Sequence, residues 1–338
     1  AHLDLAYNVA RGRDVRKPSS EQSQIGTEIA SVGLPDLRAG GVGLICGTIF
    51  CEPARPGSDH GYRNSDEAHA QMLTQLAWYR EQFAAGELKH VCAASDLPTK
   101  PEHPIGTIIL LEGGDAIRSR DDVQPIFDAG VRIVGLAWKA TRYAGGTGDT
   151  GPLAREGKLI VAGLNRAGMI HDASHLAEHA FWQLLDLTDN AIMASHSNCR
   201  AIVGGPSNRH LTDDMIKALT RRGGVIGINL CTQFLIRHDK FPQEKSSLAD
   251  VVAHVKHVCD LAGSASHVAL GTDMDGGLGR ELIPVEIQTS ADLPRIGEAL
   301  SSAGFDDAAV NHIMGLNWLA FFRRHLPADD GESPASAG

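Results

Sequence analysis

Two histidines stand at the polar ends of short apolar runs in one stretch, which reads AGMIHDASHLAEHAFWQLLDLTDNAIMASHSN. His175 follows the run 168–170, and His196 follows the run 191–194. Between the runs, apolar residues recur at helical spacing, with Ser174 as a candidate N-cap. A strand, helix, strand unit favours parallel strands and a right-handed crossover, which places both imidazoles at one rim. The pattern indicates a metal site, with hydrogen-bonded structural histidines as the alternative.

Carboxylates with similar placement occur earlier in the chain. The segment 2–8, HLDLAYN, begins with an alternating pattern and predicts a strand. Residues two apart face the same side of a strand, so His2 and Asp4 can reach one metal ion, with a capping or surface pair as the alternative. Glu112 closes the apolar run 105–111, where a carboxylate must be paired, hydrogen-bonded or bound to metal.

Predicted strands and helices alternate along the chain. The strands are 2–8, 41–50, 105–111, 131–138, 168–170, 191–194, 224–230 and 267–270. The helices are 66–83, 121–129, 152–167, 176–185, 211–222, 248–262, 293–303 and 306–325. This alternation predicts a (β/α)8 TIM barrel over residues 1–326, followed by a disordered tail over 327–338.

The position of the polar residues supports the barrel. Glu112, His175, His196 and Asp273 lie at the C-terminal ends of different predicted strands, where barrel enzymes keep their chemistry. An open doubly wound sheet is the alternative fold. It is disfavoured because no glycine-rich fingerprint follows the first strand.

Composition excludes several classes of function. The chain has 338 residues, of which 43% are hydrophobic, and a net charge of −10, without a basic block that would bind nucleic acid. No apolar run reaches membrane-spanning length and no signal peptide is recognised, so we expect a cytoplasmic protein. The six cysteines form no CxxC pair and are predicted to be reduced and buried rather than zinc ligands.

The candidate ligands are too many for one tetrahedral zinc ion and suit two divalent ions such as Zn²⁺ that share a bridging carboxylate at Glu112. They are His2, Asp4, Glu112, His175 and His196. A water between two such ions has its pKa lowered from 15.7 toward roughly 7, which supplies hydroxide for attack on an amide or ester carbonyl. Asp273 is then placed to accept a proton from that water and pass it to the leaving amine.

An ordered set of motifs across nearly the whole chain resembles the membrane (renal) dipeptidase family of zinc peptidases, within the metal-dependent amidohydrolase-like barrels. The motifs are HLDL at His2, LLEGG at Glu112, LNRAGMIHDASH at His175, ASHSN at His196, NRHLTDD at Arg209, GTDMDG at Asp273 and GLNWLAFF near Gly315. The resemblance implies that His2 and Asp4 hold one zinc ion, that His175 and His196 hold the other, and that Glu112 bridges both.

The resemblance also implies roles in substrate binding and catalysis. Arg209 matches the arginine that binds the free carboxylate of the substrate, which suits bidentate recognition by a guanidinium. A surface salt bridge to Asp213 or Asp214 is the alternative for this residue. Asp273 matches the catalytic aspartate of the family.

One position departs from the family pattern. Where the family presents a substrate-binding histidine that polarises the scissile carbonyl, this chain has Trp138. An indole can stack or donate one hydrogen bond, but it cannot act as an imidazole does. The adjacent Lys139 raises a second possibility, because some related barrels bridge their metals with a carboxylated lysine. Glu112 is preferred because it matches the dipeptidase motif.

Three functions fit these observations. The first is a binuclear zinc hydrolase that cleaves dipeptides, including those with a D-residue at the C-terminal position. The second is a related amidohydrolase that acts on N-acyl amino acids or another small amide or ester. The third is a barrel that binds metal or ligand without turnover, which the complete ligand set disfavours. All three predict a small-molecule ligand and no membrane span, and a homodimer is compatible with each.

Overall fold

Parallel strands form the centre of the molecule. The computed structural model describes residues 1–54, 57, 61–100 and 103–328, so most of the predicted tail lies outside the described residues. The strands are β1 (His2–Leu3), β2 (Leu44–Phe50), β3 (Leu88–His90), β4 (Ile105–Glu112), β5 (Val131–Gly135), β6 (Ile170–Asp172), β7 (Ile192–Met193), β8 (Ile226–Ile228) and β9 (Val268–Leu270).

The strands close into a ring. The order β1-β2-β4-β5-β6-β7 is hydrogen-bonded in parallel, and β8 pairs with β9. The backbone N–H of Ala194 donates to Val225 at 3.0 Å, which joins the end of β7 to β8. The N–H of Asp273 donates to the carbonyl of His2 at 3.2 Å, which joins the end of β9 to β1. The predicted (β/α)8 barrel is confirmed, and β3 lies outside the ring, paired only with β4.

Helices surround the ring. They are α1 (Leu5–Ala10), α2 (Leu34–Ala39), α3 (Ser65–Ala84), α4 (Val123–Asp128), α5 (Arg155–Arg166), α6 (Glu178–Leu187), α7 (Arg200–Val203), α8 (Asp213–Arg221), α9 (Thr232–Leu235), α10 (Leu248–Ala262), α11 (Pro294–Ser302), α12 (Asp307–Asn311) and α13 (Asn317–His325). None of the helices in the described part of the chain is long and apolar enough to cross a membrane.

The prediction of one helix over 306–325 is wrong. A π-helical turn at His312–Leu316, with non-helical dihedral angles at Gly315, separates α12 from α13. The side-chain amide of Asn317 donates to the carbonyls of Ala265 and Val268 at 2.6 and 2.8 Å. These contacts fix the start of α13 against β9, so the break follows from tertiary contacts that helical spacing does not reveal.

The apolar side chains of the strands pack in two layers, one inside the barrel and one between the strands and the helices. In β4, Ile108 and Leu110 belong to the cluster inside the ring, whereas Ile109 and Leu111 pack outward against the helices. Because side chains alternate along a strand, Glu112 follows Leu110 on the inner face. Burial on both faces also explains why residues 108–111 of β4 are an unbroken apolar run.

Candidate metal centre

The predicted ligands come together at the C-terminal end of the barrel. Three groups of buried side chains have ligand atoms that all lie within 4.8 Å of one another. Their members are His2, Asp4 and Glu112; Glu112, His175 and His196; and His2, His196 and Asp273. Glu112 belongs to the first two groups, which is the placement expected of a bridging carboxylate.

The two oxygens of Glu112 face different partners. Oε1 lies 3.2 Å from Nε2 of His175 and 3.4 Å from Nε2 of His196. Oε2 lies 3.7 Å from Nε2 of His2, which in turn lies 3.8 Å from Oδ1 of Asp4. Each oxygen can therefore serve a separate cation.

The backbone differs from the prediction in two places near this centre, at Asp4 and at His175. Strand β1 stops at Leu3, and Asp4 is the N-cap residue of α1, so the predicted strand over 2–8 is wrong beyond its first residues. The chain turns into a helix at Asp4 instead of continuing along the sheet, and the Asp4 carboxylate remains near the His2 imidazole.

The predicted N-cap of α6 is also wrong. The helix begins at Glu178 after Ala177, and the hydroxyl of Ser174 instead accepts the backbone N–H of His196 at 3.0 Å. Between them His175 has a φ of 65°, a conformation that L-residues rarely adopt. With this left-handed turn, the His175 imidazole lies over the barrel, and α6 begins later in the sequence than predicted.

Burial sets the protonation states of the centre. Desolvation lowers the pKa values of His2, His175 and His196 well below their ordinary range, so neutral imidazoles with free lone pairs are favoured. Desolvation, together with the neighbouring carboxylates, raises the pKa values of Asp4 and Glu112 well above theirs. Carboxylates packed this closely need a cation to remain ionised.

Several polar atoms in the centre have no partner within the described residues. Nε2 of His2, Oδ1 of Asp4 and Oε1 of Glu112 are buried without a hydrogen bond. Leaving such atoms unpaired is costly, and a divalent cation would supply the missing interaction. Three imidazole nitrogens and two carboxylates are also donors that zinc prefers, so the residues fit a metal centre.

Asp273 lies beside both groups. It has a φ of 54°, and its carboxylate accepts one hydrogen bond, from the side-chain amide of Asn229 at 2.8 Å. Desolvation raises the pKa of Asp273 to about 7, against the opposing charge of Arg209. The carboxyl group is thus suited to exchange protons near neutral pH.

Arg209 is a buried cation. Its side chain donates to the carbonyl of His196 at 2.7 Å and to the hydroxyl of Ser197 at 3.2 Å, and its Nε has no partner. The alternative of a surface salt bridge is wrong, because Arg209 is only 3% exposed and Asp213 pairs with His257 instead. No ion pair joins Arg209 to a carboxylate within the part of the chain that the structure describes.

Trp138 forms part of an aromatic wall. Its ring lies 5.1 Å from that of Phe50 and 6.4 Å from that of His175. Lys139 is exposed, and its ammonium lies 5.1 Å from the Trp138 ring, whereas Glu112 lies among the histidines. The geometry favours Glu112 over Lys139 as the bridge.

The sequence profile of the membrane dipeptidase family, peptidase family M19, matches residues 1–329. The chain belongs to the membrane dipeptidase family. The resemblance read from the motifs is therefore confirmed, and membership makes the chain a metal-dependent hydrolase.

Individual proteins are similar to this chain in sequence or in structure. An uncharacterized protein from the pqqA 5′ region of Klebsiella pneumoniae is 32% identical over 261 residues, which cover 73% of this chain and 93% of that protein. Dipeptidase verJ of Clonostachys rogersoniana is 30% identical over 223 residues, which cover 64% of this chain and 54% of that protein. A metallopeptidase from Rhodobacter sphaeroides, solved with a phosphinate mimic of the dipeptide L-Ala-D-Ala, has a TM-score of 0.81 and 25% identity, covering 96% of this chain and 97% of that one.

Sequence reasoning missed polar residues directly behind the ligands. Asp172 ends β6 two residues after the inward-facing Ile170, and Ser195 lies two residues after the inward-facing Met193. The period-two rule was therefore sufficient to place both inside the barrel. Thr147, whose hydroxyl lies 2.9 Å from Nδ1 of His175, comes from a long loop and carries no such signal.

A second aspartate, Asp275, lies in the same loop as Asp273 and has a different set of contacts. Its carboxylate accepts hydrogen bonds from the N–H and hydroxyl of Ser31 and from the N–H of Val32, at 2.6–3.1 Å. Nη1 of Arg13 lies 3.1 Å away, and the amide of Asn8 donates to the Asp275 carbonyl at 2.8 Å. These contacts hold the loop after β9 against α1 and against the segment that follows α1.

Proposed function

We propose that this protein is a binuclear zinc dipeptidase that hydrolyses small dipeptides with a free C-terminal carboxylate. The observation that carries the proposal is the division of the Glu112 oxygens between two groups of ligands, beside the buried and unpaired cation of Arg209. Two zinc ions, when bound, would lower the pKa of water so that hydroxide is available near neutral pH.

The side chains have distinct tasks in this proposal. His2 and Asp4 would hold one ion, His175 and His196 would hold the other, and Glu112 would contribute to both sites. Asp273 accepts the proton from the attacking water and passes it to the leaving amine. A group with a pKa near 7 is suited to both transfers.

Arg209 anchors the substrate. Its free Nε and its buried position suit a bidentate contact with a carboxylate, which is strong where water is excluded. Anchoring one end of the substrate at Arg209 holds the scissile carbonyl over the centre, so Arg209 contributes orientation as well as affinity.

Trp138 and Phe50 form the apolar side of the site in this proposal. The half-buried indole offers stacking area to a substrate side chain, and it does not titrate as a histidine would. We expect Trp138→Ala to raise KM most for substrates with a bulky apolar residue, and Trp138→Phe to retain most of the activity.

A second candidate function is hydrolysis of N-acyl amino acids. The observation that favours it is Trp138, because an apolar wall accepts an acyl chain as readily as an amino-acid side chain. Such substrates also carry the carboxylate that Arg209 would bind.

The test uses zinc-reconstituted protein and four matched substrates. They are an L,L-dipeptide, the L,D-dipeptide, the C-terminal amide of the first, and its N-acetyl form. We expect both dipeptides to be cleaved and the C-terminal amide to be cleaved at least roughly a hundredfold less efficiently, since a buried cation is left unpaired. Faster cleavage of the N-acetyl form would favour the second function, and equal rates for acid and amide would contradict the role of Arg209.

An Arg209→Met variant and a metal determination complete the test. The variant should lose the discrimination between acid and amide by raising KM for the acid, because the two substrates differ only at the group that Arg209 contacts. Metal content should be two ions per chain, and less than about one would contradict a binuclear centre.

A further inference from the structure

One hydroxyl lies behind both groups of candidate ligands. Oγ of Ser195 is 2.5 Å from Oδ2 of Asp172, 2.7 Å from Nδ1 of His196 and 3.2 Å from Nδ1 of His2. All four side chains are buried. The Ser195 hydroxyl therefore contacts these three groups at once, on the side of the imidazoles that faces away from the centre. A fourth neighbour, the hydroxyl of Ser174, lies 3.4 Å away, beyond the usual length of an O–H···O hydrogen bond.

The donors and acceptors at Ser195 can be assigned by counting. A hydroxyl has one hydrogen to donate and two lone pairs that accept. Oδ1 of Asp172 already accepts the backbone N–H groups of Ser174 and Ser195, both at 2.9 Å, so Oδ2 faces the hydroxyl. An ionised carboxylate only accepts, so the single hydroxyl hydrogen goes to Asp172 and both lone pairs remain for the imidazoles.

We propose that Asp172 and Ser195 are positioning residues that hold His2 and His196 in the same tautomer. Each imidazole donates its Nδ1–H to Ser195, which leaves the lone pair of Nε2 on the side of the candidate metal centre. There Nε2 of His196 lies 2.9 Å from Nε2 of His175, so in the metal-free protein it accepts a hydrogen bond from His175. His2 belongs to the group with Asp4, and His196 belongs to the group with His175. One hydroxyl thus prepares one ligand for each metal, an arrangement that rests on the proposed binuclear centre.

The third candidate histidine ligand, His175, contacts a different hydroxyl group. Nδ1 of His175 lies 2.9 Å from the hydroxyl of Thr147, away from Ser195. Groups that contact the outer nitrogen of a ligating histidine fix its orientation, and their loss costs roughly 10–100-fold in metal affinity. Ser195 differs from Thr147 because its loss affects both metals together.

Substitution of Asp172 by Asn changes the atom that faces Ser195, so its effect on the histidine tautomers can be predicted. The two backbone N–H groups keep the Asn oxygen at the Oδ1 position, so the amide nitrogen must face Ser195. The hydroxyl then accepts from Asn and needs another acceptor for its own hydrogen. The Ser174 oxygen already accepts from the His196 N–H and the Ser197 hydroxyl, so the hydrogen goes to Nδ1 of one imidazole. That imidazole carries its proton on Nε2 and cannot bind a metal through it.

The direct test is the tautomer of each histidine in the metal-free protein, measured by long-range ¹H–¹⁵N NMR at neutral pH. In the wild-type protein we expect His2 and His196 to be protonated on Nδ1. In Asp172→Asn we expect one of them to be protonated on Nε2. A wild-type protein with Nε2–H on either residue would overturn the proposal, whether or not the protein binds zinc or cleaves dipeptides.

Zinc affinity, measured by competition with a chromophoric chelator, provides the second readout. We expect Asp172→Asn and Ser195→Ala to bind zinc roughly 10–100-fold more weakly. Ser174→Ala is the matched control, because its buried hydroxyl accepts from the backbone N–H of His196 and the hydroxyl of Ser197, lies 3.4 Å from the hydroxyl of Ser195, and touches no imidazole. Ser174→Ala should lose stability while keeping wild-type tautomers and zinc affinity. Unchanged zinc affinity in a folded Asp172→Asn variant would contradict the proposal, as would an equal loss of affinity in Ser174→Ala.

Discussion

Asp273 and Asp275 are two residues apart, and they differ in how many partners their carboxylates have. Both have positive φ angles, at 54° and 62°, and both are buried. The Asp275 carboxylate accepts three donors from Ser31 and Val32 and pairs with the Arg13 guanidinium. The Asp273 carboxylate accepts one hydrogen bond, from Asn229.

The difference supports a structural role for Asp275 and the catalytic role that we propose for Asp273. The oxygens of the Asp275 carboxylate are occupied by these donors, so Asp275 holds the turn in place. Burial raises the pKa of Asp273 to about 7, which leaves its carboxyl group able to take up and release a proton near neutral pH. The contacts of Asp275 hold the turn in which Asp273 has its positive φ.

The largest expected effect is on catalysis in Asp273→Asn. Asn has the same size and can keep a contact with Asn229, but it cannot exchange protons. We expect kcat for a dipeptide to fall by roughly 10²–10⁴-fold, with zinc content retained. Steady-state kinetics with zinc-loaded protein measure the change, and a kcat within about a factor of ten of wild type would show that Asp273 is not the proton carrier.

The next effect is on stability in Asp275→Asn. The substitution leaves the buried Arg13 without a counter-charge, and breaking such a pair costs roughly 3–5 kcal/mol. Urea unfolding of the metal-free protein measures the loss. The double variant Arg13→Gln, Asp275→Asn should recover part of the lost stability because no unpaired charge remains. A loss below about 1 kcal/mol in the single variant would contradict the structural role of the Asp275 carboxylate.

A third effect is the pH dependence of stability. The pKa of Asp273 is about 7 in the folded protein and 3.8 in an unperturbed chain, so the folded state binds the proton more tightly. The stabilisation is complete below pH 3.8 and is lost as pH rises toward 7. Between pH 5 and 7 the metal-free wild type should lose about 2–3 kcal/mol relative to Asp273→Asn. Urea unfolding at both pH values measures this, and parallel curves for the two proteins would contradict it.

The smallest effect compares two neighbouring glycines. A Cβ at Gly276 would lie 2.0 Å from Oδ1 of Asp273, whereas at Gly277, with φ +74°, it would meet nothing within 4 Å. Gly276→Ala should displace the carboxylate and lower kcat by roughly ten- to a hundredfold, since small misplacements of a reacting group are costly. Gly277→Ala should instead cost about 1–2 kcal/mol of stability with kcat unchanged. Equal kcat values in the two variants would count against a precise requirement for Asp273.

The barrel, and the meeting of the candidate ligands at one rim of it, were predictable because their signals are local. A parallel barrel strand is buried on both faces, so an apolar run such as that before Glu112 marks it in the sequence. Polar residues at the ends of such runs then meet at one rim, which is how His175 and His196 were recognised. Asp172 and Ser195 were open to the same reasoning, since alternation along β6 and after β7 directs both inward.

Other features depend on contacts between distant parts of the chain. Nothing in the sequence around Arg13 indicates that it pairs with Asp275, and nothing around Asn317 indicates that it breaks a helix by bonding to β9. Asp4 was predicted on a strand because alternation continues past Leu3, but the short β1 ends where α1 begins to pack. Tertiary contacts override the local preference at each of these positions.

The hydrogen bond from Asp273 to the carbonyl of His2 has a consequence for folding. It closes the ring between β1 and β9, a contact of large sequence separation, and closing a long loop costs conformational entropy. His2 lies in β1 and His196 follows β7, so zinc bound by both candidate ligands would favour the folded barrel by mass action. Zinc would therefore join the first strand to the opposite part of the ring, and refolding should tolerate more denaturant with zinc than with a chelator.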